Sequence, residues 1–290
     1  MTAASEPTAF RLFQPENRTT SVVFASPHSG RDYPDAFLKR TILNEREVRS
    51  SEDAYVDQLF SSVSGHGAPL LVACAPRAFL DLNRGPEELD PALIEGVRRM
   101  SHNPRVASGL GVIPRVVANG RAIYRGKITL SETHQRLSGY WRPYHDALQG
   151  LLDQSLRNFH EAILIDCHSM PHEALENVCP PGAARPQIVL GDRFGAAAAG
   201  SVVEKVESAF SRAGFRVARN MPFAGAYITQ HYGRPTRRQH AVQVEIDRGL
   251  YMDEKTLQPH DGYADFVSAM NGAIADIAAI GRADRRMAAE

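Results

Sequence analysis

The chain of 290 residues is 43% hydrophobic and 23% charged, the balance of a globular protein that can bury a core without disulfide staples. Its 33 basic residues equal its 33 acidic ones, so the formal net charge is zero, which argues against a nucleic-acid or membrane-surface partner. Three cysteines, Cys74, Cys167 and Cys179, match no zinc-finger or Cys-x-x-Cys spacing and suit a reducing cytoplasm. No signal peptide is expected at Met1 to Phe10, and no run approaches the ~18 apolar residues of a membrane span.

Taken in chain order, residues 21–25 predict a short buried strand that runs into the loop Pro27-His28-Ser29-Gly30. A helix is expected over part of 45–63, and a second apolar strand at 69–74 leads to Asp81-Leu82-Asn83-Arg84. Residues 85–130, rich in Gly, Pro, Arg and Asn, read as mostly loop with a short helix near 91–100; so long an irregular stretch is usually functional. A long helix at about 131–160 follows from apolar residues recurring at three- and four-residue intervals, among them Tyr140, Tyr144, Leu148 and Leu152. Residues 162–167 form a near-continuous apolar strand ending in His168-Ser169-Met170-Pro171. A strand at 187–191, a helix at 196–213, a strand near 215–218, a loop over 219–238, an alternating strand at 241–247 and a terminal helix at 262–280 complete the pattern. The alternation predicts a three-layer α/β sandwich in one domain spanning 1–290, with its core at about 20–280.

Two histidines share a context that points to chemistry. His28 and His168 each follow an apolar strand, where open α/β sheets place ligands. Asp166 lies on the same side of its strand as His168 and could orient the imidazole of a metal ligand. A third protein ligand would complete a catalytic zinc site, and Glu52 and Asp53 are the acidic candidates; spacing does not choose between them, and a helix-start acid is the alternative reading. In 242–247, Gln243, Glu245 and Asp247 share one face, either a solvated surface or a cleft wall with Glu245 as general base. Adjacent Asn83 and Arg84 suit a clamp for an anionic small-molecule substrate, with Arg115, Arg121 and Arg125 as further anion-binding candidates. His134, His145 and His160 fall on or near the long helix, whereas His102, His172, His231 and His240 sit in loops or at strand edges, His231 being the first of these to test. Cys167 reads as a small buried apolar residue.

Together, Pro27-His28-Ser29-Gly30 with Tyr33-Pro34, Asp81-Leu82-Asn83-Arg84, Asp166-Cys167-His168-Ser169, Pro222-Phe223-Ala224-Gly225 and Gln243-Val244-Glu245 resemble the N-formylglutamate amidohydrolase family in content and order. The resemblance implies the α/β/α fold of zinc carboxypeptidases and aspartoacylases, a phosphorylase/hydrolase-like sandwich around a mixed, mostly parallel sheet. It implies a Zn2+ cofactor bound by His28, Asp53 and His168; aligning Val56-Asp57 selects Asp53, although Ser51 stands where the family's first acid stands. It also implies Glu245 as general base, Asn83 and Arg84 as substrate clamp, hydrolysis of N-formyl-L-glutamate, and a place in histidine breakdown. The loop after Met170 departs from the family pattern, its role falling to Arg185 through Asp192. Two rivals stand beside this reading: a metallohydrolase for another acylated amino acid or small peptide, and a non-catalytic binding protein on the same fold.

Overall fold

The structure, a computed structural model, describes residues 8–98, 103–176 and 184–282; Cys179 and His102 lie outside them. Seven strands form one sheet: β1 Phe10–Phe13, β2 Val22–Ser26, β3 Leu70–Ala73, β4 Ala162–Met170, β5 Ile188–Gly191, β6 Val217–Arg219 and β7 Gln239–Asp247. Their order is β1-β3-β2-β4-β7-β5-β6. β2 pairs parallel with β4, and β4 with β7; β5 runs antiparallel to β7 and parallel to β6, so the sheet is mixed.

β4 and β7 are buried at every position. Successive side chains of a strand point to opposite faces, so both faces of the sheet are covered there, as a three-layer α/β fold requires. Helices Gly200–Arg212 and Tyr263–Ile280 pack on each other, the latter also against β2, and Tyr227–Tyr232 packs against β4 and β7. Burying the whole of β7 turns the polar row Gln243, Glu245 and Asp247 inward; a solvated polar face is excluded.

The chain divides into two compact units. One comprises Met1–Arg11, Pro27–Glu52 and Val72–Ala147; the other comprises Leu12–Ser26, Asp53–Leu71 and Leu148–Glu290. The first holds the long irregular segment and the helix Leu130–Arg136, which Thr129 caps by accepting from the Glu132 amide. A π turn at Leu137–Trp141 joins that helix to Arg142–Phe159. The second holds β2, β4, β5, β6 and β7.

Several expectations shift. The segment 45–63 is not one helix but short turns at Glu45–Val48, Val56–Leu59 and Ser61–His66. Asn44 and Glu47 cap the first reciprocally, and Tyr55, at φ 67°, breaks the chain before the second. No helix forms over the described residues 91–98; the short helix lies at Pro104–Ala107, where Asn103 accepts two amides and Pro104 occupies the first turn. Residues 219–238 carry the helix Tyr227–Tyr232 rather than loop alone. β4 continues through His168 to Met170, so this histidine lies within the strand's last turn of alternation and not beyond it.

Candidate active site

The parallel register of β4 and β7 sets His168 beside Glu245 and Asp166 beside Gln243. These four side chains therefore share one face of the sheet. His168 is clasped at both ring nitrogens: Nδ1 lies 2.9 Å from Asp53 Oδ2, and Nε2 lies 3.0 Å from Asp166 Oδ1. Burial would push its pKa down, but Asp166, Asp53 and Glu245 outweigh burial and hold it well above the usual histidine value. The Gln243 amide donates to Glu245 Oε1 at 2.7 Å, fixing that carboxylate within the row.

The adjacent acids Glu52 and Asp53 turn to different work. Glu52 accepts from the Tyr33 hydroxyl at 2.5 Å and from Arg49 Nε at 3.1 Å. Burial and the Glu52 charge together push the Tyr33 phenol far upward, so it stays a donor. Asp53 gives Oδ2 to His168, and its Oδ1 accepts from Arg248 Nη2 at 2.8 Å. Arg248 is itself held by Ser169, whose Oγ accepts from Nε at 3.1 Å. Arg248 had no signal in the pattern beyond being a cation directly after the polar strand β7.

His28 leaves β2 in the Pro27-Gly30 loop. Its Nε2 lies 2.7 Å from Asp81 Oδ1, and Asp81 also accepts from Arg77 Nε at 3.0 Å and the Asn83 amide at 2.8 Å. Burial would raise the Asp81 pKa, but His28, Arg77 and Arg84 outweigh it and hold the carboxyl well below its usual range. Asp81 was visible as part of a motif, yet only the fold assigns it to His28. Gly30 lets this loop approach the end of β3: a Cβ there would sit 2.2 Å from the Ala75 carbonyl oxygen.

His28 in one unit, and Asp53 and His168 in the other, are all buried. Two imidazoles and a carboxylate are the donors of a catalytic zinc site with one position left for water. Each histidine also carries a carboxylate on Nε2, Asp81 for His28 and Asp166 for His168, the arrangement that orients metal-binding imidazoles. The chemistry of these donors fits zinc.

Residues 20–252 match the family described as N-formylglutamate amidohydrolase. The chain belongs to that family. Among relatives of this amidohydrolase, the N-formylglutamate deformylase of Pseudomonas putida is 28% identical over 240 residues, covering 80% of this chain and 82% of the relative. The N-formylglutamate deformylase of Pseudomonas aeruginosa is 27% identical over 263 residues, covering 88% and 90%. A crystal structure of N-formylglutamate amidohydrolase from Ralstonia eutropha JMP134 superposes with a TM-score of 0.87 at 33% identity, covering 94% of this chain and 98% of that one. A gene product of Agrobacterium tumefaciens shares the fold, with a TM-score of 0.63 at 16% identity over 94% and 97%.

In the amidohydrolase, Asn83 and Arg84 are buried directly after Asp81. Arg84 Nε donates to the Leu110 carbonyl at 3.1 Å and Nη1 to the Asn83 carbonyl at 3.1 Å; burial lowers the guanidinium pKa against the pull of Asp81. Arg115 instead pairs with Asp90 at 2.8 Å, Arg121 with Glu47 at 2.6 Å, and Arg125 is exposed. His231 is exposed and stacks on Tyr227, while His134 and His160 are exposed. His172 bonds Asp247 at 2.8 Å, and buried His240 accepts from the Ala199 amide. Cys167 is buried, and burial with the nearby Asp166 charge pushes its thiol pKa well up, as befits a packing residue. No helix among the described residues is long and apolar enough to cross a membrane.

Proposed function

We propose that this amidohydrolase is a zinc-dependent N-formylglutamate deformylase, converting N-formyl-L-glutamate and water to formate and L-glutamate. The reading rests above all on buried His168, with Asp53 on its ring and Glu245 in register beside it, His28 being the further zinc ligand that the family resemblance implies. The names of the two Pseudomonas relatives and of the Ralstonia structure support the substrate. Zinc in this site supplies Lewis-acid polarisation of the formyl carbonyl and acidifies water.

The chain's own residues do the rest. Asn83 and Arg84 hold a substrate carboxylate, with Arg115 a further anion contact, and so fix the amide before reaction. Glu245, oriented by Gln243, accepts a proton as water adds to the formyl carbon. The C–N bond breaks as Glu245 returns that proton to the departing nitrogen, leaving the amine of glutamate. Asp81 and Asp166 keep the two imidazoles turned.

The family match runs through segments of both compact units, which supports reading the chain as one amidohydrolase domain. The reading extends to histidine breakdown and to the cytoplasm, which free, buried Cys74 and Cys167 suit. Glu245→Gln tests the mechanism. The variant should keep bound zinc by elemental analysis while kcat for N-formyl-L-glutamate drops about 10²–10⁴-fold. Full turnover in this variant would remove Glu245 as the base; absence of zinc and of activity in zinc-supplemented wild type would favour a binding protein.

A further inference from the structure

The π turn at Leu137–Trp141 has a geometric consequence within its own compact unit. In a regular α-helix, residues five apart stand about 140° around the axis from each other. A π turn closes i to i+5, which brings Arg136 and Trp141 onto nearly the same face. His145 follows four residues after Trp141 and continues that face. All three side chains donate or lie against carbonyls of one short segment. Arg136 Nη1 donates to Phe79 O at 2.8 Å, His145 Nε2 lies 2.9 Å from Leu82 O, and Trp141 Nε1 donates to Arg84 O at 2.9 Å. The Trp141 and His145 rings lie in contact, 4.0 Å between centroids and tilted by 34°, so the two contacts support each other.

The carbonyls on both sides of Asn83 are thus pinned from a single helix, while the Asp81 carboxylate pins the Asn83 amide from the other side. We propose that the π turn is a positioning device for the Asn83–Arg84 clamp, with Trp141 and His145 as the positioning residues that set its affinity for a substrate carboxylate. This rests on the reading of Asn83 and Arg84 as the clamp. Arg136 anchors the same splint: its guanidinium lies 4.0 Å from the Phe79 ring centroid and donates to Tyr124. Trp141 is the only tryptophan in the chain, so its emission reports on the surroundings of this one ring.

The test compares zinc-loaded wild type, Trp141→Phe and Arg84→Met with N-formyl-L-glutamate and with its uncharged diamide. Phenylalanine keeps an aromatic ring against His145 and removes the N–H. Losing one neutral hydrogen bond behind the clamp should raise KM for N-formyl-L-glutamate about 3–10-fold, with kcat within about twofold. The penalty should disappear for the diamide. Titrating wild type with L-glutamate should shift Trp141 emission, and Arg84→Met should abolish the shift. An unchanged KM in Arg84→Met would overturn the clamp reading and this inference with it. A raised KM in Arg84→Met with an unchanged KM in Trp141→Phe would overturn the inference alone. Equal losses of kcat/KM on both substrates in Trp141→Phe, with a lowered melting temperature, would reduce Trp141 to a packing role and also overturn it.

Discussion

Replacing Arg248 by methionine separates the electrostatic roles around Asp53. The Arg248 and Asp53 side chains are 6% and 1% exposed and paired at 2.8 Å, so the substitution removes one buried cation from this carboxylate and leaves His168 beside it. Removing one partner of such a pair costs about 3–5 kcal/mol. At ~2–4 °C per kcal/mol for a protein near this size, the chelator-treated protein should melt roughly 6–20 °C lower. On the proposed reading zinc would change the balance, because its charge would take over the compensation of Asp53. What remains lost with zinc is the bonding of Arg248 to Ser169, about 1–2 kcal/mol. Zinc should therefore stabilise the variant by roughly 2 kcal/mol more than it stabilises wild type, equivalent to about thirtyfold tighter binding. Differential scanning fluorimetry and chemical denaturation, each with EDTA and with excess zinc, measure both differences. Equal destabilisation in the two conditions would refute the reasoning, since it would mean that the ion and Arg248 do not share Asp53.

Two further outcomes follow from the same network. Asp81→Asn removes the charge that orients His28 and should weaken zinc about 10–100-fold in competition with a chelator; unchanged affinity would show that Asp81 serves only its loop. The third concerns pH. Burial would raise the Glu132 pKa, but ion pairs with Arg136 and Arg40 outweigh it, so the folded value lies below the unfolded ~4.5. Stability from Glu132 is then fully present above pH ~4.5 and lost as pH falls through the folded pKa. Melting temperatures of wild type and Glu132→Gln should differ at pH 7 and converge in acid, whereas a gap constant down to pH 3 would sink the assignment.

The sheet was legible because its central strands are apolar runs. Val22–Ser26, Leu70–Ala73 and Ala162–Met170 announce themselves by composition, and His28 and His168 by standing at strand ends. Pairing was not legible. Nothing local to β4 or β7 states that His168 aligns with Glu245, since register between strands far apart in the chain is set by packing of both faces. The alternation of 241–247 allowed a wet or a buried polar face, and only the row of His168 and Asp166 opposite decides it. Glu52 and Asp53 illustrate the same limit at shorter range. Their identities differ by one methylene, yet Tyr33 and Arg49 take one while His168 and Arg248 take the other, the latter partner 195 residues away. The π turn left no trace in the three- and four-residue spacing of 131–160, because an inserted residue shifts the face without changing which residues are apolar.

The placement of charge explains why these particular residues keep company. Asp53, Asp166 and Glu245 all act on buried His168, and Arg248 is the guanidinium bonded within that group. Carboxylates removed from water are costly unless balanced by positive charge. The carboxylates therefore draw in positive charge at His168, strongly enough to overcome the desolvation that would otherwise keep its imidazole neutral. On the proposed reading a zinc ion bound there would displace that proton, so metal affinity would rise with pH. Glu245 stands in register beside His168, which is why the geometry of β4 against β7, more than any single motif, carries the proposal of Glu245 as the base.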